Sequence, residues 1–337
     1  MRLKLIVLVI FILGFSSRII SFHTTHPNID ELFELKSLQD RRVVDIQSNK
    51  VFYGDHTSFP GEYILHWIPL KAMGLFGKPA LIEIKGNSAK VDGIDKKGFW
   101  LLAIPKILMS LFGFWLLWLL CLRLKVGEFG IILCFIVYSF NSLLISHACE
   151  LRPYGILPEL ALLNLWLATR KESWWQVGVI IFTCIYHAYG ILIAFLPLIL
   201  FPRPFKFWLK CLPALIIWGF YASYNSFGIH ANSVQAVVDP FQFMKFNGLL
   251  GNVFLQLFGG AILLLTVLPF IIRGFMYMTS DHLVWFSWMI FVPLVLIILV
   301  DIKTQYWIHP RQFVWIVPYL ALWVGMIADQ RIEYDTT

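Results

Sequence analysis

Two adjacent carboxylates, Asp30 and Glu31, follow closely on the first apolar run of the chain. The stretch His26-Pro27-Asn28-Ile29-Asp30-Glu31-Leu32-Phe33-Glu34 has capping-box spacing, with Asn28 at the N-cap and Glu31 three residues on. Ile29, Leu32 and Phe33 share one face, so the spacing predicts a short helix lying on a membrane surface. A carboxylate held there can take a proton from a hydroxyl as a general base. Acids in a first helical turn also favour the helix dipole, and taken alone the pair reads first as a helix start.

Three more polar clusters interrupt the apolar sequence. In His147-Ala148-Cys149-Glu150-Leu151-Arg152-Pro153-Tyr154-Gly155, Pro153 suits the first turn of a helix and sets Arg152 just ahead of it. Glu159 lies two turns below Arg152 on the same face, deep enough to need an ion-pair partner or a wet cavity. Lys106 is a candidate partner. The second cluster, Tyr186-His187-Ala188-Tyr189-Gly190, breaks a long apolar run, and the third, Trp307-Ile308-His309-Pro310-Arg311-Gln312, opens the last one. Each also has a structural reading: Arg152 and Arg311 as interface anchors, Glu159 as half of an ion pair, His187 as a satisfied core histidine.

The elements that must position these groups are membrane helices. The chain has 337 residues, 59% of them hydrophobic and 14% charged, against about 25% charged in soluble domains. It reads as a single all-α polytopic membrane domain over residues 1–337, in the multi-pass cell membrane. The formal net charge of +7 does not point to nucleic acid, because the basic residues sit in short loops between apolar runs. The five cysteines show no zinc or redox spacing and read as small hydrophobes in packing.

Ten spans are expected: Leu3–Phe22, Phe99–Leu122, Phe129–Ala148, Tyr154–Ala168, two short ones within Trp174–Phe201 broken near Tyr189-Gly190, then Phe207–Phe227, Gly251–Ile272, Leu283–Val300 and Phe313–Ala328. The first reads as an uncleaved span, since Gly14-Phe15-Ser16-Ser17 is a poor cleavage site. Residues 23–98 then form a long first extracytoplasmic loop, balanced at ten basic and ten acidic residues. Within it, Tyr63–Phe76 carries Pro69 and Lys71 and is short for a span, so it reads as a second surface or re-entrant helix. Ala80–Lys97 carries the one weak strand pattern, a hairpin around Gly86-Asn87. This count places Arg123/Lys125, Arg170/Lys171, Arg203/Lys206/Lys210 and Arg273 in cytoplasmic loops, with both termini cytoplasmic, as the positive-inside rule requires.

No P-loop, glycine-rich dinucleotide motif, nucleophile elbow or metal-ligand spacing is present in the sequence. The order of features resembles the GT-C superfamily of membrane glycosyltransferases, in the branch of protein O-mannosyltransferases and lipid A aminoarabinose transferases. The residues that carry the resemblance are Asp30-Glu31 after the first span, Phe59-Pro60-Gly61-Glu62-Tyr63 with Leu75-Phe76-Gly77, Glu150-Leu151-Arg152-Pro153-Tyr154, Tyr186-His187-Ala188-Tyr189-Gly190, and Arg311 with Pro318. Members often have an arginine at the start of the second span; here Ala103-Ile104-Pro105-Lys106 offers Lys106 instead.

The resemblance implies transfer of a sugar from a polyprenyl-phosphate carrier to a lipid, glycan or protein acceptor on the outer face. Asp30 would be the catalytic carboxylate, supported by Glu31. No cofactor is implied, and the need for a divalent metal stays open. A lipid phosphate leaves as a stable anion, so one base for the acceptor suffices, and the phosphate needs cations in a water-poor site. Arg152, Arg311, Lys106 and Arg18 are the cations expected on that side. Glu150, Tyr154, Glu159, His187, Tyr189 and His309 are the expected cavity residues. Direct displacement would invert the anomeric centre. A transporter or flippase of a lipid-linked sugar, or a membrane polysaccharide polymerase, remains the alternative; a transporter puts its acids mid-membrane, as Glu159 would be.

Asp55→Cys and Asn87→Cys should both react with a membrane-impermeant maleimide applied to intact cells. Protection of both positions would overturn this topology.

Overall fold

The structure, a computed structural model, describes residues 2–25, 31, 61–74, 82–85, 88–91, 96–228, 253–276, 281–304 and 310–328. Asp30 and His309, the helix start at Asn28 and the Leu75-Phe76-Gly77 motif lie outside the described residues.

The fold is predominantly helical. Helix α1 (Arg2–Thr25) is followed by the short α2 (Gly61–Ala72) and by a two-stranded hairpin, β1 (Ile82–Lys85) and β2 (Ser88–Val91). The strands pair antiparallel with Ile84 opposite Ala89, as the strand pattern of the sequence predicts; Gly86 and Asn87 between them lie outside the described residues. Then come α3 (Lys96–Arg123), α4 (Glu128–Phe140), α5 (Ser142–His147), a 3₁₀ turn at Pro153–Ile156 and α6 (Leu157–Ala168). The chain continues through α7 (Trp174–Tyr186), α8 (Gly190–Phe195), α9 (Pro197–Leu200), α10 (Phe205–Gly228), α11 (Ala261–Met276) and α12 (Asp281–Thr304). A 3₁₀ segment, Pro310–Ile316, leads into α13 (Val317–Ala328).

Among the described residues, three helical stretches are long and apolar enough to cross a membrane: Arg2–Thr24, Lys97–Arg123 and Pro310–Ala328. Five further apolar helices are shorter, at 10–17 residues. Pro310–Ala328 is nearly all buried, whereas most of Arg2–Thr24 faces outward. The bundle is therefore built around Pro310–Ala328, with Trp315, Tyr319 and Trp323 fully enclosed. Tyr319 Oη donates to the Ala161 carbonyl at 3.3 Å, and Trp323 Nε1 to Ser287 Oγ at 2.9 Å. These bonds satisfy polar tips that the apolar packing would otherwise strand.

The expected break in the long run from Trp174 falls where the sequence puts it. Helix α7 ends at Tyr186 and α8 begins at Gly190, whose N–H donates to the His187 carbonyl at 2.8 Å. The span expected over Phe129–Ala148 is broken too, which the hydropathy does not reveal. Asn141 adopts φ −65°, ψ 125° between α4 and α5, and its side chain accepts from Leu143 N and Leu144 N at 3.0 and 3.4 Å. An asparagine offers the backbone a capping bond in place of the helical one, and α5 restarts from it. Its Nδ2 donates to the Leu257 carbonyl at 2.8 Å, which ties the break into the core.

One polar knot crosses the apolar bundle. Arg18 is completely buried. Its Nη1 donates to Ser110 Oγ at 2.7 Å and its Nη2 to the Tyr138 carbonyl at 2.8 Å. The guanidinium carbon lies 4.5 Å from the centroid of the Phe114 ring and 4.6 Å from that of Tyr138. Nη1 also stands 3.9 Å from Glu159 Oε1, which accepts from the Tyr138 hydroxyl at 3.2 Å. The candidate Lys106–Glu159 pair is thus replaced by Arg18–Glu159. The reason is geometric: Lys106 Nζ is directed instead at the Arg152 carbonyl.

Removing one member of a buried ion pair leaves the other charge uncompensated, at a cost of about 3–5 kcal/mol, whereas removing both costs far less. Arg18→Met should therefore lower the unfolding free energy in detergent by that amount. Arg18→Met combined with Glu159→Gln should recover most of it. A double variant no more stable than the single one would overturn the pairing.

Candidate anion site at the broken helix ends

The loop between α5 and α6 carries the densest polar chemistry among the described residues. His147 ends α5, and its Nδ1 lies 2.6 Å from Glu150 Oε2. Glu150 N donates back to the His147 carbonyl at 3.2 Å, so the loop turns tightly. Pro153 opens the 3₁₀ turn and forces the preceding residue to be extended: Arg152 has φ −81°, ψ 166°. The Arg152 carbonyl then accepts from Gly155 N at 3.1 Å and from Lys106 Nζ. A Cβ on Gly155 would lie 2.4 Å from the Glu150 carbonyl oxygen and 2.9 Å from Lys106 Cδ, so this close approach needs a glycine.

Glu31 reaches this loop from the far side of the sequence. It is fully buried, and its Oε1 accepts from Leu151 N at 2.7 Å. Glu31 thus anchors the loop that bears Glu150 and Arg152.

The two arginines singled out from the sequence come together on one ring. Arg152 approaches Tyr154 with its guanidinium carbon 5.8 Å from the ring centroid, and Arg311 approaches the same ring at 5.4 Å. Both distances fall within cation–π range. Pro310 begins the second 3₁₀ segment beside Arg311, as Pro153 begins the first beside Arg152. His187 joins the group with its ring 5.4 Å from Tyr154 and 4.9 Å from Tyr189. Its Nδ1 accepts from Tyr189 N at 3.2 Å, which leaves the proton of the neutral ring on Nε2. Helix α2 begins against this corner. A Cβ on Gly61 would lie 2.6 Å from Tyr186 Cα, so the chain there also needs a glycine.

Of the residues expected at the site, Glu31, Lys106, Glu150, Arg152, Tyr154, His187, Tyr189 and Arg311 are gathered into this group. Glu159 is not, because it is held inside the bundle by Arg18 and Tyr138. Arg18 likewise has both terminal nitrogens, Nη1 and Nη2, bonded to protein atoms and stands apart from this group. Lys106 is fully buried and binds backbone, so it shapes the Arg152 turn rather than offering an exposed charge. His147 is absent from the sequence-derived candidates. Its signal is the i, i+3 spacing to Glu150 in His147-Ala148-Cys149-Glu150.

Among the described residues the group joins three cations, Arg152, Arg311 and Lys106, with two carboxylates, Glu31 and Glu150. Burial alone would raise the Glu150 carboxyl, but the His147 hydrogen bond and charge, then Arg152 and Arg311, overcome it and hold it at about 2. Tyr154, Arg311 and His147 are only half-buried, so the group is open on that side.

No protein-family model matches the chain, and comparison with curated proteins and with solved structures returns no match.

Because the Glu150 carboxyl sits below its ordinary value of 4.5 in the fold, its ionised form stabilises the folded loop. That contribution is complete above about pH 4.5 and is lost as the pH falls toward 2. Glu150→Gln should flatten the acid limb of melting temperature against pH between about 4.5 and 2. An acid limb unchanged from wild type would overturn this assignment.

Proposed function

We propose that the chain is a multi-pass membrane glycosyltransferase of the GT-C kind, with ten spans and both termini cytoplasmic. It moves a sugar from a polyprenyl-phosphate donor to an acceptor hydroxyl on the extracytoplasmic face. The observation that carries this reading is the meeting of Arg152 and Arg311 at Tyr154, beside the loop that Glu31 anchors. Guanidiniums bind phosphate oxygens two at a time, and two of them in a partly buried corner suit a lipid phosphate that leaves as an anion.

In the proposed reaction, Asp30 takes the proton from the acceptor hydroxyl. The acceptor oxygen attacks the anomeric carbon as the bond from that carbon to the phosphate oxygen breaks. The polyprenyl phosphate departs with the bonding electron pair, held by Arg152 and Arg311, and the anomeric centre inverts. Glu31, next to Asp30 in sequence, supports it by fixing the Leu151 backbone. Tyr154 spaces the two arginines, and the His187 ring packs against Tyr154 beside them.

Cells lacking the protein should lose one sugar from an envelope glycan or glycoprotein and regain it with the wild-type gene. Asp30→Asn should lower transfer by about 10²–10⁴. Arg152→Lys and Arg311→Lys keep the charge but lose the fork, and each should lower transfer by about ten- to a hundredfold. Lys206→Arg, on the exposed start of α10, should transfer normally. Arg203 would be a poor control, since its Nη2 caps the end of α6 through the Ala168 and Arg170 carbonyls. Loss of no glycan on deletion, or full transfer by all three site variants, would overturn the reading. A lipid-linked sugar trapped on the cytoplasmic leaflet would replace it with a flippase.

A further inference from the structure

The half of the bundle remote from Tyr154 holds an open groove of about 450 Å³ between α1 and α3. One wall is a helical stripe of α1, Lys4, Val7 and Phe11; the other is a stripe of α3, Phe114, Trp115 and Trp118. The two helices run antiparallel. Phe22 stacks on Phe99 near one end, at 5.9 Å between centroids, and Phe11 meets Phe114 edge-on at 5.0 Å farther along. Toward the Arg2 end the two helices line the groove together with Phe135 of α4.

Three features define what fits. The lining is apolar and aromatic over the roughly 10 Å that separates Lys4 from Phe11 along a helix. The groove lies between α1 and α3, two of the helices long and apolar enough to cross a membrane. The one charged lining residue is Lys4, exposed at the end of the stripe, with Arg2 exposed one half-turn beyond. An apolar channel closed at one end by an ammonium complements a chain with an anionic head. Basic pockets between membrane helices take anionic lipid headgroups in this way. Leu8, half exposed on the same stripe, leaves the mouth passable.

We propose that this groove binds one acyl chain of an anionic phospholipid from the leaflet at the Arg2 end, with the lipid phosphate on Lys4. The site is separate from the arginine pair at Tyr154 and does not depend on the transferase reading. The lipid fills the opening between α1 and α3 and fastens the lightly buried α1 to the bundle.

The test is native mass spectrometry of the full chain, purified in mild detergent and titrated with phosphatidylglycerol or with phosphatidylcholine of the same acyl chains. The wild type should retain one phosphatidylglycerol with about fivefold preference, the contribution of one ammonium near a membrane surface. Lys4→Gln should bring the two lipids level. Leu8→Trp, which fills the groove from an exposed position, should reduce retention of both. Lys210→Gln, whose lysine lies over the Trp174 ring instead, should behave as wild type. Equal retention of both lipids by the wild type would overturn the proposal. So would a preference that survives Lys4→Gln, or retention unchanged by Leu8→Trp.

Discussion

A guanidinium enclosed in an apolar bundle must have its charge and its donors met by the protein, because water is not there to meet them. Arg18 is in that position, and the surrounding helices are arranged to answer it. Ser110 and Phe114 come from α3, Tyr138 from α4 and Glu159 from α6. The contact with the Tyr138 carbonyl has a further consequence. It lies one turn before Asn141, where α4 gives way to α5, so a cation stands beside a helix end whose carbonyls carry partial negative charge. The same side chain thus sets the depth of α1 against α3 and fixes the point from which α5 leads to the polar loop.

The loop is held by side chains that bind its backbone. Glu31 takes the Leu151 N–H, and Lys106 donates to the Arg152 carbonyl. With the main chain secured from inside, the Arg152 guanidinium is carried toward Tyr154. The division between lysine and arginine follows from their chemistry. A flexible ammonium can seek out one carbonyl, while a planar guanidinium can lie against an aromatic ring and still present its edge to an anion.

Irregular backbone is concentrated around Tyr154. The 3₁₀ turn at Pro153–Ile156 carries Tyr154 itself, with Arg152 at its start, while the 3₁₀ segment at Pro310–Ile316 and the junction after Tyr186 each contribute a residue that meets its ring. Broken helices leave backbone groups unpaired, which is tolerable only where protein or a cavity can satisfy them. Here the breaks stand beside Arg152, Arg311 and His187, so among the described residues irregular backbone and polar side chains coincide.

The sequence by itself determined the helical, apolar character of the chain, the break before Gly190, the β1–β2 hairpin and the candidacy of Arg152 and Arg311. These are local properties. Hydropathy, a proline next to an arginine and a glycine after a tyrosine act through neighbours a few residues away. Tertiary structure alone decided that Glu159 pairs with Arg18 rather than Lys106, that Glu31 holds Leu151, and that both arginines meet at Tyr154. Helical periodicity assigns a residue a face and a depth, but many helices offer a partner at that depth. Which one stands opposite is set by how the whole bundle packs, and that depends on every helix at once.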